Sequence, residues 1–246
     1  MKRLFLATVL FTLAILSGGK AMAQFAEGNG TQNDPYLIAT AEQFNEMANT
    51  ATQDKYYKQT ADLMFTYNLF NASKNFKAIN FSGHYDGQGF SIKSSNEQQG
   101  TLFNEISDGE VKNLVIDGVR VSEGQPTSGG LLCRKFSNGR IENITVTNCN
   151  YSTLTILHDA IPSGGLIGIM NGGTLSNCCV KGTTITSREV AGGLIGQMTG
   201  GTVEYSSFNG NTVSAERATP TAETCYAGGI VGEISGGTIN ACYASG

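Results

Sequence analysis

Apolar residues recur at every second position in short bursts over most of the chain, and the bursts come in a fixed order. Gly129-Gly130-Leu131-Leu132, Gly164-Gly165-Leu166-Ile167-Gly168, Gly192-Gly193-Leu194-Ile195-Gly196 and Gly228-Gly229-Ile230-Val231-Gly232 are four copies of one phrase, and Gly100-Thr101-Leu102-Phe103 is a looser fifth. Each leads, eight to ten residues later, to a glycine and an aliphatic anchor: Val111, Ile141, Leu175, Val203 and Ile239. Counting on from the anchors gives Asn113, Asn143, Asn177, Tyr205 and Ala241 at plus two, and Leu114, Ile144, Cys178, Ser206 and Cys242 at plus three. Ile116, Val146, Val180, Phe208 and Ala244 stand at plus five, the turn formers Gly118, Asn148, Gly182, Gly210 and Gly246 at plus seven, and Val121, Tyr151, Ile185 and Val213 at plus ten. A spacing of two predicts strands, since a helix repeats at three and four. The step from anchor to plus three breaks that parity, so the chain bends at the asparagine column. Asparagine tolerates left-handed backbone, and stacked Asn side chains can bond along a ladder.

The anchors lie 30, 34, 28 and 36 residues apart, and the variation falls after plus ten, in residues 124–128, 153–162 and 215–224. A constant frame with insertions in one place is the mark of a solenoid. A β-sandwich does not keep so constant a register, and a propeller blade needs about 40–45 residues. The predicted fold is therefore all-β: a right-handed parallel β-helix with a short N-terminal capping helix. Thr40-Ala41-Glu42-Gln43 fits a capping box, and Phe44, Met47 and Ala48 follow at helical spacing, so the helix is placed to about Ala51 as a lid. Residues 81–92 read as a tight hairpin-like turn into the first coil. At the other end the frame stops at the plus-seven corner, Gly246, which sets the expectation of a fragment or of a partner on that end.

Composition narrows the class. Glycine is 32 of 246 residues and proline 4, which suits many short strands joined by tight turns. Lys2 and Arg3, an apolar run over residues 4–16 and Ala21-Met22-Ala23 have the form of a secretory signal, and that run is too short for a bilayer span of about 20 residues. The expected division is a signal at 1–23, an N-terminal cap and first coil at 24–99, and repeats at 100–246. Without residues 1–23 the chain keeps 13 basic against 20 acidic residues, near −7, with no basic cluster; nucleic acid is an improbable partner on that balance.

The phrase Gly-Gly-Leu-Ile-Gly, a spacer, Gly-Gly-Thr-Ile/Val and then Asn177-Cys178-Cys179 or Ala241-Cys242-Tyr243 closely resembles the GLUG motif of bacterial surface repeat proteins and some IgA-specific metalloproteases. Gly28-Asn29-Gly30-Thr31, Asp34-Pro35-Tyr36-Leu37-Ile38, Thr40-Ala41-Glu42-Gln43-Phe44 and Phe81-Ser82-Gly83…Asp86-Gly87-Gln88-Gly89 resemble the opening of Bacteroidetes-type GLUG proteins. In one copy Cys133 takes the place of the second GLUG glycine. The resemblance implies surface display and adhesin-like roles more than a reaction.

The chain offers few candidates for chemistry. The zinc-protease arrangement of two histidines a helical turn apart is missing; His84 and His158 stand 74 residues apart in turn or loop contexts and read as solvent-facing. Asp86, Asp108, Asp117 and Asp159 fall in no shared column, so the carboxylate clusters of polysaccharide-cleaving β-helices have no counterpart, and Asp86-Gly87 reads as a turn. Of six cysteines, Cys178 and Cys242 share an inward column, Cys149 and Cys179 lie elsewhere, and Cys133 and Cys225 sit near glycine corners; reduced core thiols are favoured over disulfides. Tyr205 and Tyr226 could stack on sugars, although packing is the commoner use of such residues. No catalytic, cofactor-binding or metal residue is assigned. The expectation is an exported, non-enzymatic adhesin-like or structural module at the cell surface or secreted, with glycans, proteins or a further copy as partners. The alternatives are a substrate-binding or spacer region of a larger surface enzyme such as an IgA-type metalloprotease, and a polysaccharide-cleaving β-helix.

Overall fold

The computed structural model describes residues 25–68, 75–77, 79–98, 100–121, 129–153, 162–216 and 224–246. The signal segment, His158, Asp159 and most of the variable insertions lie outside them.

The apolar columns become the walls of a parallel β-solenoid of about five turns. A 13-stranded sheet (sheet I) carries the anchors, and further sheets of six, four and three strands (sheets II, III and IV) close the coil. The register of sheet I follows the sequence frame: Val111 opposes Ile141, then Leu175, Val203 and Ile239. The column runs further back than the glycine phrase, through Tyr36, Tyr57 and Tyr85. A second limb of sheet I stacks Leu63, Ile92, Ile116, Val146, Val180, Phe208 and Ala244. Sheet III stacks Val121, Tyr151, Ile185 and Val213.

The limbs of sheet I meet at the plus-two residue, which is left-handed in every coil: φ is 54° at Asn113, 55° at Asn143, 53° at Asn177, and 49° at both Tyr205 and Ala241. Asn143 Nδ2 donates to Asn113 Oδ1 (2.7 Å), and Asn113 Nδ2 donates to Asp86 Oδ1 (3.0 Å), so an amide ladder ties three coils. In later coils the side chain at plus three satisfies the bend. Cys178 Sγ, Ser206 Oγ and Cys242 Sγ donate to the carbonyls of Ser176, Glu204 and Asn240, at 3.2, 2.8 and 3.3 Å.

The helix is shorter than expected, Ala41–Glu46 followed by a 3₁₀ turn Met47–Asn49. Thr40 Oγ1 accepts from Gln43 N–H, while Gln43 Oε1 reaches Ala39 N–H (2.7 Å), one residue before the N-cap. Phe44 is buried where the helix meets the first coils, its ring centroid 5.6–5.8 Å from those of Phe65, Tyr85 and Phe103.

Two sequence expectations are corrected. Residues 81–92 form no hairpin: strand His84–Asp86 pairs with Tyr56–Gln59 and Gly109–Asp117, and Ser91–Ser94 pairs with Leu63–Phe65 and Gly109–Asp117, all parallel. The glycine turn between them is a coil corner. Secondly, Cys133 opposes Ile167, so the phrase at 129–133 stands one residue out of the alignment read from its glycines. Arg134 then lies opposite Gly168, and Leu131 opposite Gly165, while Cys133 is a wholly buried strand residue of sheet II. The slip is accommodated because Gly129 leaves room for both Gly168 and the Arg134 stem.

Candidate functional site

Residues flanking the anchors point outward, and the register aligns them into two polar columns along sheet I. Before the anchor stand Tyr56, His84, Glu110, Arg140, Thr174, Thr202 and Thr238; after it stand Lys58, Asp86, Lys112, Glu142, Ser176, Glu204 and Asn240. The front of this face is charged; in the rear the first column is threonine throughout and the second holds Ser176, Glu204 and Asn240. Between directly paired strands every carboxylate opposes a base or a neutral residue, which cross-strand electrostatics favours.

A groove of about 370 Å³ opens on the charged end, over Tyr56, Lys58, His84, Asp86, Glu110 and Lys112, with Gln32, Asn33 and Pro35 as its wall. The wall is a tight turn in which the N–H groups of Asn29 and Gly30 donate to Asp34 O (3.1 and 3.0 Å), and Gly30 O accepts from Tyr56 N–H (3.0 Å). Gly30 has φ +78°, and a side chain there would strike the Tyr36 ring.

On the floor, the rings of Tyr56 and His84 stack with centroids 4.2 Å apart and planes 12° apart. His84 Nδ1 lies 3.1 Å from Glu110 Oε2, and Lys112 Nζ lies 3.0 Å from Glu110 Oε1. Burial raises the Glu110 pKa, but Lys112 and His84 outweigh it and hold the carboxyl below its usual value. Asp86 accepts from Gln88 N–H (2.9 Å) as well as from Asn113. Both carboxylates thus hold partners already, and the floor offers a ring face, ammonium donors and carboxylate acceptors at fixed spacing.

His84, expected to face solvent in a turn or loop, is a half-buried strand residue with an aromatic and an acidic neighbour. Asp86 forms the turn expected of it. Asp108 accepts from Asn138 Nδ2 (2.7 Å), and Asp117 from Asn148 Nδ2 (3.2 Å), each at its own corner away from the groove. Tyr205 and Tyr226 are exposed in later coils. Among the described residues no three His, Cys, Asp or Glu side chains gather as metal ligands would.

The thiols are scattered by the same register. Cys133, Cys149 and Cys178 are buried, and burial pushes the Cys149 and Cys178 thiols up to about 12 and Cys133 higher still. Cys178 and Cys242 share a column, with Ser206 on the rung between. Two rungs at ~4.8 Å each exceed the reach of a disulfide.

No family model matches the chain. A provisionally named Gly-rich membrane protein of Evansella cellulosilytica is 29% identical over 150 residues, 56% of this chain; the match spans 17% of that protein's length. Among solved structures, a Bacteroides ovatus protein provisionally named an immunoglobulin A1 protease superposes with a TM-score of 0.65 at 21% identity, over 89% of this chain and 78% of its own. The chain therefore shares a β-solenoid fold with that protein.

Proposed function

We propose that this chain is an exported, non-enzymatic, adhesin-like module of the GLUG type, which presents a rigid β-helix at the cell surface for binding. The groove over Tyr56 and His84 carries the reading: its acids are committed to bases and amides, and its exposed groups suit recognition more than proton transfer. The signal-like start supports export. The name of the Evansella relative favours a surface location. In the test, purified 24–246 is applied to immobilised glycans, matrix proteins and host cells, beside Tyr56→Ala. The expected result is saturable binding that Tyr56→Ala weakens about tenfold, as loss of an aromatic anchor does. Binding to none of these surfaces, or indifference to Tyr56 in binding to the matrix proteins and host cells, would sink the proposal.

One observation favours a second reading, in which the coil is the substrate-binding or spacer region of a larger surface enzyme. It is the likeness to a structure named for IgA1 proteolysis, taken with a relative far longer than the match. That reading expects the isolated chain to retain IgA1 on a column without cleaving it; passage of IgA1 unretained would remove it.

A further inference from the structure

Sheet III differs from sheet I in what it does with its outward side chains. Its paired rungs put Asn150 beside Thr184 and Thr184 beside Thr212, and in the next outward column Ser152 beside Thr186 and Thr186 beside Ser214. These six residues form a two-by-three array, with rungs ~4.8 Å apart along the coil axis and columns roughly 6.6 Å apart across it. All six are exposed or half-exposed and none is charged. None of their side chains makes a hydrogen bond to another described residue. At the front of sheet I, by contrast, His84, Asp86, Glu110, Lys112, Arg140 and Glu142 are tied to one another or to Asn113 by ion pairs and hydrogen bonds. A groove of about 550 Å³ covers the front half of the array, Asn150, Ser152 and Thr184, and continues over the adjoining corner residues Asn148, Gly182 and Asn211, with Glu97 and Arg120 at its front end. Arg188 and Glu216, on adjacent rungs, bound the far edge.

We infer that this array is a second binding site and that its ligand is a neutral polysaccharide strand lying along the coil axis. The absence of charge over six positions, in a chain whose front coils carry rung-to-rung ion pairs, matches an uncharged ligand. Hydroxyls and an amide with unused donors and acceptors match a ligand made of hydroxyls, since each bond formed on binding displaces only water. The constant rung repeat is close to the length of one extended sugar unit. A polymer can therefore meet equivalent groups on successive coils, and its affinity grows with the number of units engaged. The inference is independent of the Tyr56 groove, which lies on another sheet.

The test uses the intact 24–246 chain in native gels containing β-glucan, xylan, galactomannan or, as an anionic comparison, polygalacturonate. Calorimetry with two- to six-unit oligomers of whichever neutral polymer retards the protein then gives the length dependence. The double variant Thr184→Val, Thr186→Val keeps shape and β-branching while removing two hydroxyls, and circular dichroism verifies its fold. The expected outcome is retardation by a neutral polymer, with about tenfold tighter binding of the six-unit than the two-unit oligomer. The double variant should bind about tenfold more weakly, as two lost hydrogen bonds imply. Binding should persist in about 0.5 M NaCl, because no ion pair is involved. Tyr56→Ala should leave it unchanged, which separates this site from the groove on sheet I. Retardation by no neutral polymer, equal binding by the folded double variant, or loss of binding in salt would each overturn the inference.

Discussion

The front and rear of the coil share one strand register but fill it in opposite ways. In front, Tyr57, Phe65, Phe81, Tyr85 and Phe103 are buried, with Phe44 of the helix set among them and Phe81 and Phe103 5.0 Å apart. In the rear, Leu166, Ile167, Leu175, Val180, Leu194 and Ile195 are packed beneath backbone that approaches backbone. A methyl group on Gly165 would overlap the carbonyl of Gly193, and one on Gly193 would overlap the carbonyl of Gly229 and the Phe208 ring. In earlier coils the same column holds Leu131 and Thr101, wholly buried. The first coils lie against the helix, and large rings fill the interior around Phe44. Where successive coils bring backbone against backbone, as at Gly165 and Gly193, glycine is required. The glycine phrase therefore marks where the aromatic plug ends.

The largest effects should come from breaking either filling. Phe44→Ala removes the ring at the centre of the front cluster and should cost about 3–5 kcal/mol in urea unfolding, the range for buried Phe truncation. Because solenoids fray from their ends, hydrogen exchange should show the loss first in Tyr56–Gln59 and His84–Asp86. Equal loss of protection in Ile195–Met198 would mean that the plug does not serve the front alone. Gly193→Ala meets backbone, which cannot rotate away, and should cost about 3 kcal/mol, the upper end of overpacking. Its exchange signature should centre on the rear coils. A silent Gly193→Ala would refute close backbone approach as the reason for the phrase.

This division explains what could be read from residue order. The rear columns were legible because glycine and alternating aliphatics repeat where coils are equivalent. Val111, Ile141, Leu175, Val203 and Ile239 fell into register as counted. The front coils hid theirs. Tyr36, Tyr57 and Tyr85 belong to the same column, yet tyrosine replaces the aliphatic and the glycine phrase is missing. Without that column, His84 could not be placed beside Tyr56 and Glu110, so the groove went unseen. The signal available was a spacing of 21, 28 and 26 residues between tyrosines and Val111, with a polar residue on either side of Tyr57, Tyr85 and Val111. The one-residue slip at Gly129-Gly130 had no such signal, because two adjacent glycines fit either alignment.

The bend column offers a gentler comparison. In front it is Asn113 and Asn143, residues at ease in left-handed backbone and able to bond along the ladder; in the rear it is Tyr205 and Ala241 at φ 49°. A bulky residue there carries strain that Asn relieves. Tyr205→Asn should therefore stabilise the rear coils by about 1 kcal/mol. Tyr205 is 61% exposed, so little packing is lost in exchange. A variant less stable than the parent would show that the Tyr205 ring contributes more by packing than its backbone loses to strain.

The smallest effect should come from acid, and it should be confined to the front. Hydrogen bonds from Ser91 hold the Asp62 carboxyl below its usual range, the Ser137 hydroxyl and Lys135 do so for Glu105, and Arg140 does so for Glu142. Glu110 is held down by Lys112 and His84 against the opposing effect of burial. A carboxyl whose pKa is lower folded than unfolded lends stability that is complete above the unfolded value of about 4 and is lost as pH falls through the folded one. These side chains are partly in water, so screening keeps their joint contribution below about 1 kcal/mol. Rear rungs at Thr174, Thr202 and Thr238 have no charge to lose at those positions. Amide exchange, corrected for its intrinsic pH dependence, should therefore show Gly109–Asp117 losing protection between about pH 5 and pH 3 while Thr202–Glu204 keeps its own. A loss spread evenly along the coil would mean that the ion pairs of the front do not distinguish it from the rear, and that the aromatic plug alone sets the two regions apart.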